Sequence, residues 1–350
     1  MHLFGALGWL ALASHSPLAL GWAKRLKEHL LNSPIASKPE LHFVECTHLA
    51  PADGRPRRMA YWQWGDPHAQ RVVLCVHGLS RQGRDFAVLA QALCARSPQP
   101  LRVVCPDVAG RGHSDWLPDP MAYQLPTYAG DMLALVAQLQ AQAPVAHLDW
   151  VGTSMGGLIG LLLAGQTALQ QATPTWLPIT RLVLNDVGPV VAWRFIERLR
   201  TYIGQTGQFD SQQAGADHLR RISPGFGPHT DAQWLALSTP MLKPMPNSGW
   251  TLHYDPALAQ PVHALSPEAA GQGEALLWQL YDQIQARTLL LRGAESDLLT
   301  PEVAQAMQQR GPCAQRLDFP GVGHAPTLVA DDQVAAVASF LFTRGTSTQT

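Results

Sequence analysis

Five short, continuously apolar runs recur along the chain: "RVVLCVHG" (71–78), "LRVVCPD" (101–107), "HLDWVG" (147–152), "RLVLND" (181–186) and "RTLLLRG" (287–293). They carry β-branched residues and little polar alternation. That pattern marks strands buried on both faces, as in a parallel sheet with helices above and below. Segments with helical spacing separate most of them. "DFAVLAQALCARS" opens on Asp85, which is placed to cap it, and "PTYAGDMLALVAQLQAQ" opens on Pro126 and Thr127. "MGGLIGLLLAGQTALQ" is apolar nearly all round, as in a helix packed deep against a sheet. Near the end come "PEVAQAMQQR", a possible strand "AQRLDFPG", and "DDQVAAVASFLFTR". Ahead of the series, "LHFVECTHL" and "RRMAYWQWG" form an antiparallel pair around the turn Pro51–Gly54. The alternation predicts an α/β fold with a doubly wound, mostly parallel sheet.

The rhythm breaks between about Val191 and Tyr281. No convincing strand occurs there, but helix candidates, Pro- and Gly-rich loops and aromatics such as Trp193, Phe195, Tyr202 and Phe226 do. The stretch predicts a helical cap inserted between two late strands, over the C-terminal sheet edge where open α/β sheets bind ligands. The expected organisation is an N-terminal extension (1–40), a core made of 41–190 and 282–344, and the cap (191–281).

A chain of 350 residues, 46% hydrophobic and 15% charged, can bury a core of that size. Its formal net charge of −1, with no basic block, argues against a nucleic-acid surface. The five cysteines, Cys46, Cys75, Cys94, Cys105 and Cys313, are scattered without C-x-x-C spacing. They read as free thiols in a reducing compartment, not as a disulfide framework or a zinc site. The N-terminal run "LFGALGWLALA" has signal-peptide length, and Ala11-Leu12-Ala13 resembles a cleavage site. Yet no Lys or Arg precedes it, Lys24, Arg25 and Lys27 follow it, and it is too short for a membrane span. Cytoplasmic residence is expected, with export through a weak signal as the alternative.

Chemistry concentrates at strand ends. Gly152-Thr153-Ser154-Met155-Gly156 fits G-x-S-x-G where a strand candidate gives way to a helix candidate, the layout that pushes a serine forward on a sharp turn. An ordinary glycine-rich turn would share the bare pattern. A serine hydroxyl needs a base, and the base needs an orienting group. Of fourteen histidines, His324 in "FPGVGHAPTLVADD" lies in the loop after the last strand candidate, at the same sheet edge as Ser154. Two acids qualify. Asp297, in "LLLRGAESDLLTPE", is favoured because its loop neighbours that of the histidine, and Asp186 ends "LVLND". Asp107, opening "PDVAGRGHSD", is assigned to organising its own turn. "VLCVHG" ends a strand in His77 and Gly78; the backbone N–H groups of Leu79 and Met155 would then supply two donors for an oxyanion. Gly78, Gly152 and Gly156 would let neighbouring backbone approach closely.

With these residues assembled, the chain resembles the α/β-hydrolase family from about Leu41 to Arg344. The order Ser, Asp, His and the succession of "HG", "PDVAGRGHSD", "GTSMGG", "RGAESD" and "GVGH" carry the resemblance. It implies Ser154 as nucleophile, His324 as general base and then acid, Asp297 as orienting carboxylate, and Leu79 and Met155 as oxyanion donors, with no cofactor and no metal. Serine at the elbow separates the chain from relatives with an aspartate nucleophile. The expected activity is cleavage of a small-molecule carboxylic ester or lactone through an acyl-enzyme. Alternatives are carbon–carbon bond cleavage in a β-diketone-like acid, for which Arg81 and Arg84 could hold a carboxylate, and a non-catalytic ligand receptor.

Overall fold

The computed structural model describes residues 38–49, 55–166 and 177–343. The N-terminal apolar run and the turn Pro51–Gly54 lie outside them. The described chain from Pro39 onward forms one compact unit. Its frame is an eight-stranded sheet: β1 (Glu40–Cys46), β2 (Arg57–Gly65), β3 (Arg71–Val76), β4 (Arg102–Pro106), β5 (His147–Thr153), β6 (Ile179–Asn185), β9 (Arg287–Gly293) and β10 (Gln315–Phe319), in the order β1-β2-β4-β3-β5-β6-β9-β10. Both pairings of β2 are antiparallel and all others are parallel, so the sheet is mostly parallel, as predicted.

The apolar runs divide by residue parity. Val72, Leu74 and Val76 face one hydrophobic cluster, and Val73 and Cys75 the other. This period of two is what a strand buried on both sides requires. The first cluster is closed by α2 (Leu125–Gln142) and α3 (Met155–Gly165). The second is closed by α1 (Ala87–Arg96) and α10 (Asp331–Phe342). One cap assignment fails: α1 begins at Ala87 after a 3₁₀ turn, and Asp85 instead makes a two-point ion pair with Arg81, Nε to Oδ2 at 2.6 Å and Nη2 to Oδ1 at 2.7 Å.

Between β6 and β9 lie α4 (Trp193–Arg200), α5 (Gln212–Ile222), α6 (Asp231–Ser238), a hairpin of β7 (Leu242–Pro244) and β8 (Trp250–Leu252), α7 (Ala259–Ala264) and α8 (Pro267–Asp282). The hairpin corrects the all-helical expectation; strands of three residues leave no periodicity to read. The stretch also divides in two. Helix α8 packs on α3, where Gly165 closes against the Leu280 backbone, and so joins the layer over the sheet. The inserted elements outside that layer precede Pro267. A further helix, α9 (Pro301–Gln309), separates β9 from β10. All five cysteines are unpaired, and among the described residues no helix is long and apolar enough to cross a membrane.

Candidate active site

Ser154 sits between the last residue of β5 and the first of α3, at φ +52° and ψ −119°. An L-residue rarely adopts this conformation, which costs about 1–3 kcal/mol and persists only where the surroundings enforce it. Here they do. The Ser154 N–H donates to Asn185 O at 3.0 Å, and its carbonyl accepts from Gly157 N–H and Leu158 N–H, starting α3. Gly152 and Gly156 let backbone pack on backbone: a Cβ on Gly156 would fall inside the Val76 carbonyl, and one on Gly152 inside the Gly156 carbonyl. Gly78 is less demanding, since a Cβ there would touch the Ser154 Cβ at an ordinary 3.6 Å.

His324, in the loop between β10 and α10, brings Nε2 to 3.0 Å from Ser154 Oγ. Its Nδ1 lies 2.7 Å from Oδ2 of Asp186, not of Asp297. With Nδ1–H donating to a carboxylate, Nε2 is left to accept the serine proton. Asp186 directly follows β6, is fully buried, and adopts φ +54°. Gly293 N–H (3.0 Å) donates to its Oδ1 and Ser296 Oγ (2.7 Å) to its Oδ2, so the loop after β9 orients the acid without providing it. Asp297 turns to the inserted segment, where Arg198 of α4 donates Nε to Oδ2 at 2.7 Å and Nη2 to Oδ1 at 3.1 Å. The favoured acid is thereby corrected. Reaching one loop along the sheet is not enough when the histidine loop itself folds back across β9 toward β6.

The segment inserted between β6 and β9 holds that histidine loop. Gly323 N–H donates to Gly225 O at 2.7 Å, and His229 meets Thr327 Oγ1 at 2.7 Å. Phe195 of α4 sets its ring on His324, centroid to centroid 4.9 Å at 77°. Asn185 ties the elbow to the same loop, its Nδ2 donating to Thr153 Oγ1 and Pro326 O.

His77 is fully buried. Its Nδ1 donates to Gly78 O at 2.7 Å, and its Nε2 accepts from Val108 N–H at 2.9 Å. Burial pushes its pKa down to about 3; the charges of Arg111 and Arg81 add to that, and the Gly78 carbonyl opposes it. The neutral ring fixes the Gly78–Leu79 peptide through its carbonyl. Asp107 organises its turn as expected, accepting from Gly83 N–H and His113 N–H, and burial raises its pKa to about 6. The two groups have opposite linkage. Between pH 6.5 and 3 the unfolded chain binds the His77 proton and the folded one does not, so acid removes stability. Between 6 and 3.8 the folded chain binds the Asp107 proton, which offsets part of that loss. His77→Asn should therefore lose less stability than the parent between pH 7 and pH 4, by on the order of 3 kcal/mol. Urea denaturation at the two pH values measures the difference, and equal losses would remove His77 from this account.

Ser154 and His324 open on a cavity of about 420 Å³. Its walls include Leu79, Phe195, Leu199, Tyr202, Phe226 and Met241, with Arg81, Asp85, Arg198, Glu295 and Asp297 as charged members. Arg84 is not on the lining; its guanidinium lies over Trp62, 4.9 Å from the ring centroid. No described residue accepts a hydrogen bond from Leu79 N–H or Met155 N–H.

A family model described as the alpha/beta hydrolase family matches residues 73–337. The chain is 45% identical over 309 residues to the 3-hydroxybutyrate-oligomer hydrolase of Cupriavidus necator, covering 87% of this chain and 99% of that protein. Among solved structures, an alpha/beta hydrolase of Novosphingobium aromaticivorans is 31% identical, with a TM-score of 0.72 and coverage of 88% of this chain and 99% of that one. An esterase of Mycobacterium tuberculosis shares the fold at 23% identity, with a TM-score of 0.63 over 94% of this chain and all of that one (100%).

Proposed function

The chain belongs to the alpha/beta hydrolase family, and from that premise we propose a serine carboxylic-ester hydrolase whose substrates are short oligoesters of 3-hydroxybutyrate or closely similar hydroxy acids. One observation carries the mechanism: the unbroken line Ser154 Oγ, His324 Nε2, His324 Nδ1, Asp186 Oδ2, with spacings of 3.0 and 2.7 Å. The name of the 45% identical relative supports the substrate class.

Ser154 Oγ attacks the ester carbonyl while His324 Nε2 takes its proton. Asp186 keeps the proton on Nδ1 and stabilises the imidazolium. The carbonyl oxygen becomes an oxyanion between the N–H groups of Leu79 and Met155, the latter at the positive start of α3. His324 returns its proton to the departing alkoxide, releasing one hydroxy acid and leaving an acyl-Ser154. Water, deprotonated by the same imidazole, then frees the second product. The apolar walls suit a methyl-bearing chain a few units long.

Incubating the full chain with 3-hydroxybutyrate trimer should release monomer. A fluorophosphonate should label Ser154 and stop that release in step with labelling. Release undiminished after complete labelling would refute the serine mechanism. Turnover of simple p-nitrophenyl esters with none of the trimer would refute the substrate class alone.

A further inference from the structure

Arg111 is fully buried, and its guanidinium has no carboxylate in ion-pair range among the described residues. Burying such a charge is costly unless something compensates it. Each of its three nitrogens has a partner, however, and the targets are telling. Nε donates to Leu79 O at 2.7 Å, and Nη2 reaches Met155 Sδ at 3.5 Å. Nη1 donates to Ala109 O and to Tyr128 Oη at 3.0 Å. Tyr128 and Tyr123 flank the planar group, 5.0 and 5.6 Å from the guanidinium carbon. One cation thus touches both residues whose N–H groups the proposed mechanism aims at the oxyanion.

We infer that Arg111 is a positioning residue for ester hydrolysis: it locks Leu79 and Met155 in place and sets a fixed positive charge behind the oxyanion they receive. The inference rests on the serine-hydrolase reading of the site. The ground-state ester is neutral at its carbonyl, so a buried cation gains little from it. The negative charge that develops during attack is what its field favours, and a preorganised field acts there without reorganisation. Its backbone is fixed for the task. Arg111 forms an antiparallel bridge with Tyr254, Gly112 N–H donates to His253 O at 3.0 Å, and Asp255 N–H donates to Gly110 O at 2.8 Å. The cap therefore braces the turn that carries the cation.

The test compares the parent enzyme, Arg111→Met and Arg111→Lys. Rates are expressed per active site titrated to completion with fluorophosphonate, so misfolded protein does not count. Arg111→Met should lower kcat about a hundredfold with KM within about threefold, the pattern of an interaction made only in the transition state. Its affinity for a trifluoromethyl ketone, which adds to the serine as an oxyanion, should fall by a similar factor, whereas affinity for the carboxylate product should hold. Arg111→Lys keeps the charge and should recover about tenfold of the lost kcat. A methionine variant with kcat and ketone affinity near the parent's would overturn the inference, as would a defect confined to KM. Failure of the parent itself to be labelled would instead strike the serine reading on which the inference rests.

Discussion

Asp186→Asn should lower kcat/KM for ester hydrolysis about ten-thousandfold, the scale of loss when the orienting carboxylate of such a relay becomes an amide. An amide presents both a donor and an acceptor; the Gly293 N–H can only donate, so it would hold the amide oxygen in the Oδ1 position and leave the NH₂ group in the Oδ2 position, beside Ser296 Oγ and His324 Nδ1. The NH₂ group would then face His324 and favour the tautomer with Nδ1 unprotonated, leaving Nε2–H unable to take the Ser154 proton. Asp297→Asn should change kcat/KM by less than about fivefold, because its pair with Arg198 is partly exposed and such pairs contribute little. Initial rates on a p-nitrophenyl ester, with circular dichroism to confirm folding, separate the two. The reverse ranking would transfer the orienting role to Asp297 and require the histidine loop to rearrange in solution.

The sequence favours Asp297, whereas in the structure Asp186 stands 2.7 Å from His324 Nδ1, and the difference has a physical reason. Both aspartates follow strands at the same sheet edge, and neighbouring loops were the only measure of distance available. Strand order puts β9 beside β10, so Asp297 looked closer to His324. A position within the loop tells more. Asp186 abuts β6 and is tied to the ladder, its N–H donating to Leu291 O at 2.8 Å, whereas Asp297 lies four residues beyond β9. The elbow is readable because it sits directly between two strongly patterned elements, whereas His324 lies five residues beyond β10 and is marked instead by the glycines of Gly321-Val322-Gly323 before it. Residues of the inserted segment are not readable. Phe195 and the bond from Gly323 to Gly225 depend on how helices fold back, and helical periodicity gives a helix's buried face without its partner. Arg111 was likewise hidden inside a glycine-rich turn, where nothing in the sequence distinguishes a buried cation from a solvated one.

The second large effect concerns the turn itself. Gly156→Ala should leave little active enzyme. An alanine Cβ would overlap the Val76 carbonyl and stand 2.9 Å from the His77 carbonyl, both of them backbone at the centre of the sheet. A crowded side chain can change rotamer, but these atoms can yield only by moving β3 or α3. Overpacking of that kind costs about 3 kcal/mol or more, which for a domain this large lowers Tm by about 5 °C. The protein that stays folded should also be slow. The displaced Val76–His77 backbone leads straight into Leu79, and a misplacement of about 1 Å there costs roughly a hundredfold in rate. Gly271→Ala is the matched control, for it lies within α8 and a Cβ there meets nothing within 4 Å. Alanine's better helix propensity should raise stability by about 0.4–1 kcal/mol at unchanged activity. Thermal denaturation and initial rates on both variants decide the matter: a Gly156→Ala protein as stable and as fast as the parent would mean that the elbow has room to spare and that its glycine is incidental.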